Sequence, residues 1–184
     1  MDPRSLRSRK GIKKALCRLV SERGFSSVKA LDVAREAGIN RSTFYLHYRS
    51  LDAVLYEIED DLIKNVVGLT QIKAGAFEDY IKNLAASLLD YSTEIRTVLS
   101  SSYAHFQRKL EMVLLPLVVG LPYASFAGLH PEEERYVITF LLDGSIGTVA
   151  SFFRNHASPS KEDAVRLAEQ FLTFFGYQGG KQHG

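Results

Sequence analysis

The sequence predicts an all-α protein of about nine helices, divided into a small basic head (residues 1–50) and a larger helical body (residues 51–184). Three observations carry this. Apolar residues recur at i, i+3, i+4 and i+7 through almost every segment, no stretch alternates with the period of a strand, and Gly, Pro and Ser clusters separate the periodic stretches. The apolar share of 46%, the charged share of 24% and a chain of 184 residues are ordinary for a globular protein with a sizeable core. The net charge of +2 conceals an asymmetry: residues 1–50 hold 12 Lys and Arg against 4 Asp and Glu, a balance of +8, and residues 51–184 hold 11 against 17, a balance of −6. A basic head on an acidic body points to a polyanion partner for the head.

Residues 1–8 are expected to form a disordered basic arm, with Arg4, Arg7, Arg9 and Lys10 able to reach phosphates or a minor groove. Helix 1 is expected from about Arg9 to Arg23, with Ile12, Ala15, Leu16, Leu19 and Val20 on one face. Gly24 ends it, and Phe25 turns back to the core. Val33 to Tyr48 then reads as a short helix, a tight turn and a second short helix. Val33, Ala34 and Ala37 share a face, Gly38 supplies the positive φ that stops the first helix, and Ile39 plugs the turn. Asn40 caps the next helix by accepting the backbone N–H of Ser42 or Thr43. Phe44 and Tyr48 face the core, which leaves Arg41, Ser42, Thr43, Tyr45 and His47 outward. An outward face of hydroxyls, one Arg and one aromatic, without an acid, suits phosphates and base edges. The pattern is a helix-turn-helix, with 41–47 as its recognition helix.

Helix 4 is expected from Ser50 or Leu51 to about Gly68 or beyond, its apolar stripe being Val54, Leu55, Ile58, Leu62, Val66 and Leu69. Its acidic run, Glu57, Glu59, Asp60 and Asp61, reads as a solvated face and lacks the His partner a metal site needs. Helix 5 spans about Phe77 to Tyr91, helix 6 Ser92 to Leu99, and helix 7 Ala104 to Val119 with a bend at Pro116. Gly120 to His130 reads as a loop or broken helix. Pro131 followed by Glu132, Glu133 and Glu134 opens helix 8, which runs to about Asn155. Helix 9 follows Ser158-Pro159-Ser160 and runs to about Phe175. Stripes on helix 8 (Val137, Phe140, Leu141, Gly144, Ser145, Thr148, Phe152) and helix 9 (Ala164, Leu167, Ala168, Phe171, Leu172, Phe175) suit helix–helix docking. Gly144 and Gly147 each cost up to ~1 kcal/mol inside a helix, which a close approach of another helix would offset.

Ala37 to Tyr48, with Gly24-Phe25 upstream and Leu51-Asp52-Ala53-Val54-Leu55 downstream, resembles the signature of the TetR family of transcriptional repressors. Two positions depart from the family pattern. Lys29 stands where a Thr or Ser usually caps the first motif helix, so Ser26 or Ser27 is expected to cap it instead, and Leu51 stands where a Lys often meets a phosphate. The resemblance implies a homodimer joined through its last two helices, here Phe140, Gly144, Thr148, Phe152, Leu167, Phe171 and Phe175. It implies a double-stranded operator built as an inverted repeat, contacted by Arg41, Ser42, Thr43, Tyr45, His47 and Lys29. It also implies a helical body that binds a ligand. A small apolar or aromatic ligand is expected among helices 5 to 8, near Tyr80, Tyr91, Tyr103, His105, Phe106, Tyr123 and Phe126.

The sequence offers no Gly-rich phosphate loop, nucleophile elbow or clustered metal ligands, so no enzyme, cofactor or metal is expected. The five histidines, His47, His105, His130, His156 and His183, are scattered. The lone Cys17 excludes an internal disulfide and fits a packing role in a reducing cytoplasm. The N-terminus lacks an apolar signal segment. The longest apolar run, Met112 to Ala124, is short of the roughly 20 residues of a membrane span, so no membrane association is expected. The competing readings are a helical enzyme or carrier with an incidental basic head, and a module that docks the head on an acidic protein.

Overall fold

Pro3 stands at the first position of the first helix, where its fixed φ is already helical and its missing N–H removes no bond. The computed structural model, which describes residues 3–70, 77–119, 130–156 and 158–174, accordingly starts α1 at Pro3 and runs it to Arg23. The expected disordered arm is therefore helix from Pro3 on; no Gly or second Pro breaks 4–10, and Arg9 is anchored by an ion pair to Glu57. Among the described residues there are nine α-helices, two short 3-10 turns and no strand.

α1 ends at Gly24 (φ 77°), and a 3-10 turn over Phe25–Ser27 leads to α2, Ala30–Glu36. Ser26 and Ser27 do not cap α2. Lys29 occupies the cap position, and since a lysine side chain accepts nothing, the cap is made from the other end: Asp32 accepts the Lys29 N–H at 3.0 Å. Gly38 (φ 67°) turns the chain into α3, Arg41–His47, and α4, Leu51–Thr70, follows with Ser50 Oγ accepting the Ala53 N–H at 3.2 Å. Ile12, Leu16, Val33, Phe44, Val54, Leu55 and Ile58, all fully buried, are where α1 to α4 meet.

After α4 come α5 (Phe77–Leu88), a 3-10 turn over Leu89–Tyr91, α6 (Ser92–Ser101), α7 (Tyr103–Val119, with Pro116 inside), α8 (Pro131–Asn155) and α9 (Lys161–Phe174). The helix expected over 77–91 thus tightens in its last turn. α8 starts where Glu133 accepts the His130 N–H (2.8 Å), and α9 starts with a reciprocal Ser160–Asp163 capping box. α1 packs on α6, and α4 on α6 and α7, so the apolar core continues from the head through Ile95, Val98, Phe106 and Leu110. α9 lies on α5, burying Ala164 and Ala168.

The acidic run of α4 is not a solvated face. Glu59 is 0% exposed: it accepts from Ser102 Oγ at 2.5 Å, lies 2.8 Å from His105 Nδ1 and 4.0 Å from Lys109 Nζ. Asp60 pairs with Lys109 at 2.5 Å, Glu57 with Lys13 at 3.1 Å and with Arg9, and Asp61 with Lys13. Four residues after Leu55, Glu59 shares the buried stripe of α4, and α6 and α7 supply its partners.

α8 departs from the expected limit on apolar length. By length and composition its window Glu132–Asn155, mean hydropathy 1.5, is long and apolar enough to cross a bilayer, and 17% of it is buried within the chain. Its inward side is Ile138, Ile146, Ala150 and Phe153; Tyr136, Phe140 and Gly144 lie on the other, exposed side.

Candidate nucleic-acid interface

The interface is built on α3. Asn40 Oδ1 accepts the Thr43 N–H at 2.7 Å, the expected cap, and also accepts the Ser42 hydroxyl at 2.7 Å. Phe44 is fully buried, and Tyr48, just past the helix, packs beside it at 6.1 Å between ring centroids. At about 100° per residue, these two define the inward direction. The opposite direction falls on Ser42 and Leu46. Arg41 and Tyr45 form one flank, with the Arg41 guanidinium 5.5 Å from the Tyr45 ring centroid, and Thr43 and His47 form the other. Arg41, Ser42 and Tyr45 are exposed; Thr43 and His47 are half-buried. α3 thus brings five of the predicted contact residues together. Lys29, exposed at the start of α2, stands on a separate element.

Part of the head's positive charge is held internally. Arg9 pairs with Glu57 and donates to Tyr48 Oη at 3.4 Å, Arg18 meets Glu36 at 2.7 Å, and Arg23 meets Asp32 at 2.7 Å. Burial raises the Glu57 carboxyl, but the hydrogen bonds from Arg9, Lys13 and Tyr48 outweigh it and hold the group below its usual range. Burial, opposed by the Arg9 hydrogen bond, pushes the Tyr48 phenol up to about 12. The Lys29 N–H, against a smaller effect of burial, holds Asp32 low. Arg9 therefore belongs to the framework. Arg7, Lys10, Lys14, Lys29, Arg35, Arg41 and Arg49 keep exposed cations on the head.

Leu46, absent from the predicted contact residues, is 83% exposed and the most exposed large apolar side chain described. The signal was present: two residues beyond the buried Phe44, a helical position points roughly the opposite way.

The other predicted residues are less gathered. Tyr103 lies under the Arg154 guanidinium (4.6 Å to the ring centroid), His105 faces Glu59 and stacks on Tyr56 (4.7 Å), Phe106 is buried in the core, and Tyr91 is half-buried on its 3-10 turn. Tyr123, Phe126 and Phe175, with the side chain of Tyr80, lie outside the described residues. On α8, Phe140 is 72% exposed, Gly144 is exposed, and Thr148 donates to the Gly144 carbonyl at 2.8 Å. Phe152 is half-buried against His156 (4.7 Å between centroids), and Leu167 and Phe171 of α9 are half-buried. Cys17 is buried, as a packing residue is expected to be.

An all-α chain with a capped, acid-free second helix after a Gly-containing turn is a helix-turn-helix protein. Residues 12–58 match the family model described as bacterial regulatory proteins, tetR family. The chain is 32% identical over 71 residues to an uncharacterized HTH-type transcriptional regulator, YdgC, of Bacillus subtilis (strain 168); the match takes in 39% of this chain and spans 36% of the relative's length. In fold it is similar to a TetR transcriptional regulator from Streptococcus agalactiae 2603V (TM-score 0.63, 23% identity, 93% of this chain and 96% of that one). It is likewise similar to NalD, the secondary repressor of the MexAB-OprM multidrug efflux pump in Pseudomonas aeruginosa (TM-score 0.63, 16% identity, 95% and 98%).

Proposed function

We propose that this protein is a homodimeric, operator-binding transcriptional repressor released from DNA by a small molecule. The observation that carries the reading is α3: a capped helix whose outer face holds Arg41, Ser42, Tyr45 and Leu46 and no acid, on a head with ten exposed Lys and Arg. In this reading residues 1–50 touch DNA, and residues 51–184 dimerise and take the ligand. Arg41 and Ser42 meet base edges; Thr43, Tyr45 and His47 hold phosphates, with Lys29 nearby. A second copy covers the side of α8 that carries Tyr136, Phe140 and Gly144, so that two heads meet an inverted repeat one helical turn apart. The exposure of Phe140 and the low burial of α8 support this face as one that needs a partner. An apolar or aromatic ligand among α5 to α8 would favour a spacing of the heads that no longer fits, acting through α4.

The test is an electrophoretic shift with promoter DNA of its own and neighbouring genes at ~150 mM salt, where non-specific binding is weakened by ion competition. A specific shift, lost with Arg41→Ala, is the expected result. Binding no tighter than to random DNA would overturn the reading.

A further inference from the structure

On the row of α3 that faces most directly away from the core, Ser42 is joined by an apolar side chain that none of the roles assigned above uses. Leu46 is 83% exposed on a seven-residue helix whose inward side is closed by Phe44. A leucine held in water at the centre of a polar, cationic surface contributes nothing to the chain's own packing. It gains only when another apolar group covers it. In a major groove the one apolar group on the base edges is the thymine C5 methyl. Ser42, one turn earlier on the same row, sharpens this. Its hydroxyl proton is directed to Asn40 Oδ1 at 2.7 Å, so its oxygen presents lone pairs outward. It therefore suits an amino donor, adenine N6 or cytosine N4, and not an acceptor.

We propose that Leu46 is a specificity-determining residue that reads a thymine methyl, beside a base whose amino group Ser42 accepts. The inference rests on the reading of α3 as a groove-entering helix and adds to it a chemical identity for the central contact: an A·T-containing step, with Arg41 and Tyr45 to one side and Thr43 and His47 to the other. Leu46 touches no other part of the core, so its replacement leaves the fold intact.

The experiment uses a duplex that the full-length protein selects from a random pool, with each thymine replaced in turn by deoxyuridine, which removes only the methyl group. For the native protein, one thymine per half-site is expected to matter, its replacement weakening binding about fourfold for one methyl returned to water, and about 16-fold when both half-sites are changed. For Leu46→Ala, the same replacement is expected to change binding by less than about twofold, because the partner of the methyl is gone. Circular dichroism verifies that the variant stays folded. If every deoxyuridine duplex binds the native protein and Leu46→Ala in the same ratio, Leu46 does not read a methyl and the inference fails while operator binding stands. If the native protein selects no sequence at all, the operator-binding reading fails, and this inference with it.

Discussion

Replacing Gly144 with Ala separates a helix that merely lacks a side chain from one that is approached by a second copy, because the two cases differ in sign. Gly144 lies mid-way along α8 on its exposed side, and a Cβ built there meets nothing within 4 Å in its own chain. Within one chain the substitution therefore only helps: Ala is favoured over Gly in a helix interior by about 0.8–1 kcal/mol. For a chain of this size that corresponds to a rise in Tm of roughly 2–4 °C. Across a dimer seam the effect reverses. Each protomer places a methyl where backbones approach, and overpacking of that kind costs about 1–3 kcal/mol, a dissociation constant raised roughly 5- to 150-fold. Sedimentation velocity over a dilution series measures the constant, and thermal melting at the lowest concentration measures the intrachain gain. Phe140→Asp serves as a second perturbation at an exposed apolar position on the same side and is expected to abolish the dimer without unfolding the chain. A higher Tm with an unchanged dissociation constant for Gly144→Ala would refute the reasoning and move the interface elsewhere on the surface.

Three further outcomes follow from the polar groups. Glu57 is held below its ordinary value of 4.5, so its contribution is full above that pH and is lost as pH falls through the lower folded value. Glu57→Gln is expected to cost roughly 1.5–3 kcal/mol at pH 7 and to flatten the fall in urea midpoint between pH 6 and pH 3; an unaltered fall would contradict the assignment. Burial pushes the Cys17 thiol up to about 11, so at pH 8 about one thiol in a thousand is ionised. Native protein is expected to resist thiol labelling until denaturant opens it, and rapid stoichiometric labelling in plain buffer would count against the burial. His105→Ala withdraws a hydrogen-bond partner from the buried Glu59 side chain, and the double variant with Glu59→Gln is expected to lose less than the sum of the two single losses, because both substitutions remove the same contact. Strictly additive losses in urea unfolding would show that the two side chains are not coupled.

Much of the head was legible in the sequence because local chemistry determines it. Gly38 and Asn40 fix the turn and the cap with their own backbone and side chain, and Phe44 and Tyr48 leave little choice of inward face. The errors arose where distant partners decide. Glu59 falls on the buried stripe of α4, four residues after Leu55, yet a carboxylate there is read as solvated unless Ser102 and His105 are known to meet it from 43 and 46 residues away. Arg9 looked like part of a DNA-reaching arm because the sequence does not reveal that Glu57 and Tyr48 lie against it. The cap of α2 is hidden in the sequence for a different reason. A lysine at a cap position looks wrong until Asp32 is seen to accept its N–H from within the helix. Leu46 is not legible as a contact residue from polar chemistry, because it is an apolar side chain on the outward row.

The placement of the α4 acids bears on how the proposed release would work. α4 is held on two sides: Glu57 and Asp61 tie it to Arg9 and Lys13 of α1, while Glu59 and Asp60 tie it to His105 and Lys109 of α7. The first set joins α4 to the head that carries α3; the second joins it to the body where the ligand is proposed to act. A tilt of α4 that follows the head must separate the second set, and one that follows the body must separate the first. Coupling between effector and DNA sites is typically about 1–3 kcal/mol, and a hydrogen bond to a charged group is worth about 1.5–3 kcal/mol. One rearranged contact at Glu59 is therefore on the scale of the whole coupling. Glu59 is the more consequential of the acids because water has no access to it. A carboxylate that loses Ser102 and His105 has no solvent to replace them, so the α4–α7 contact favours two discrete arrangements, bonded or displaced, over a graded slide.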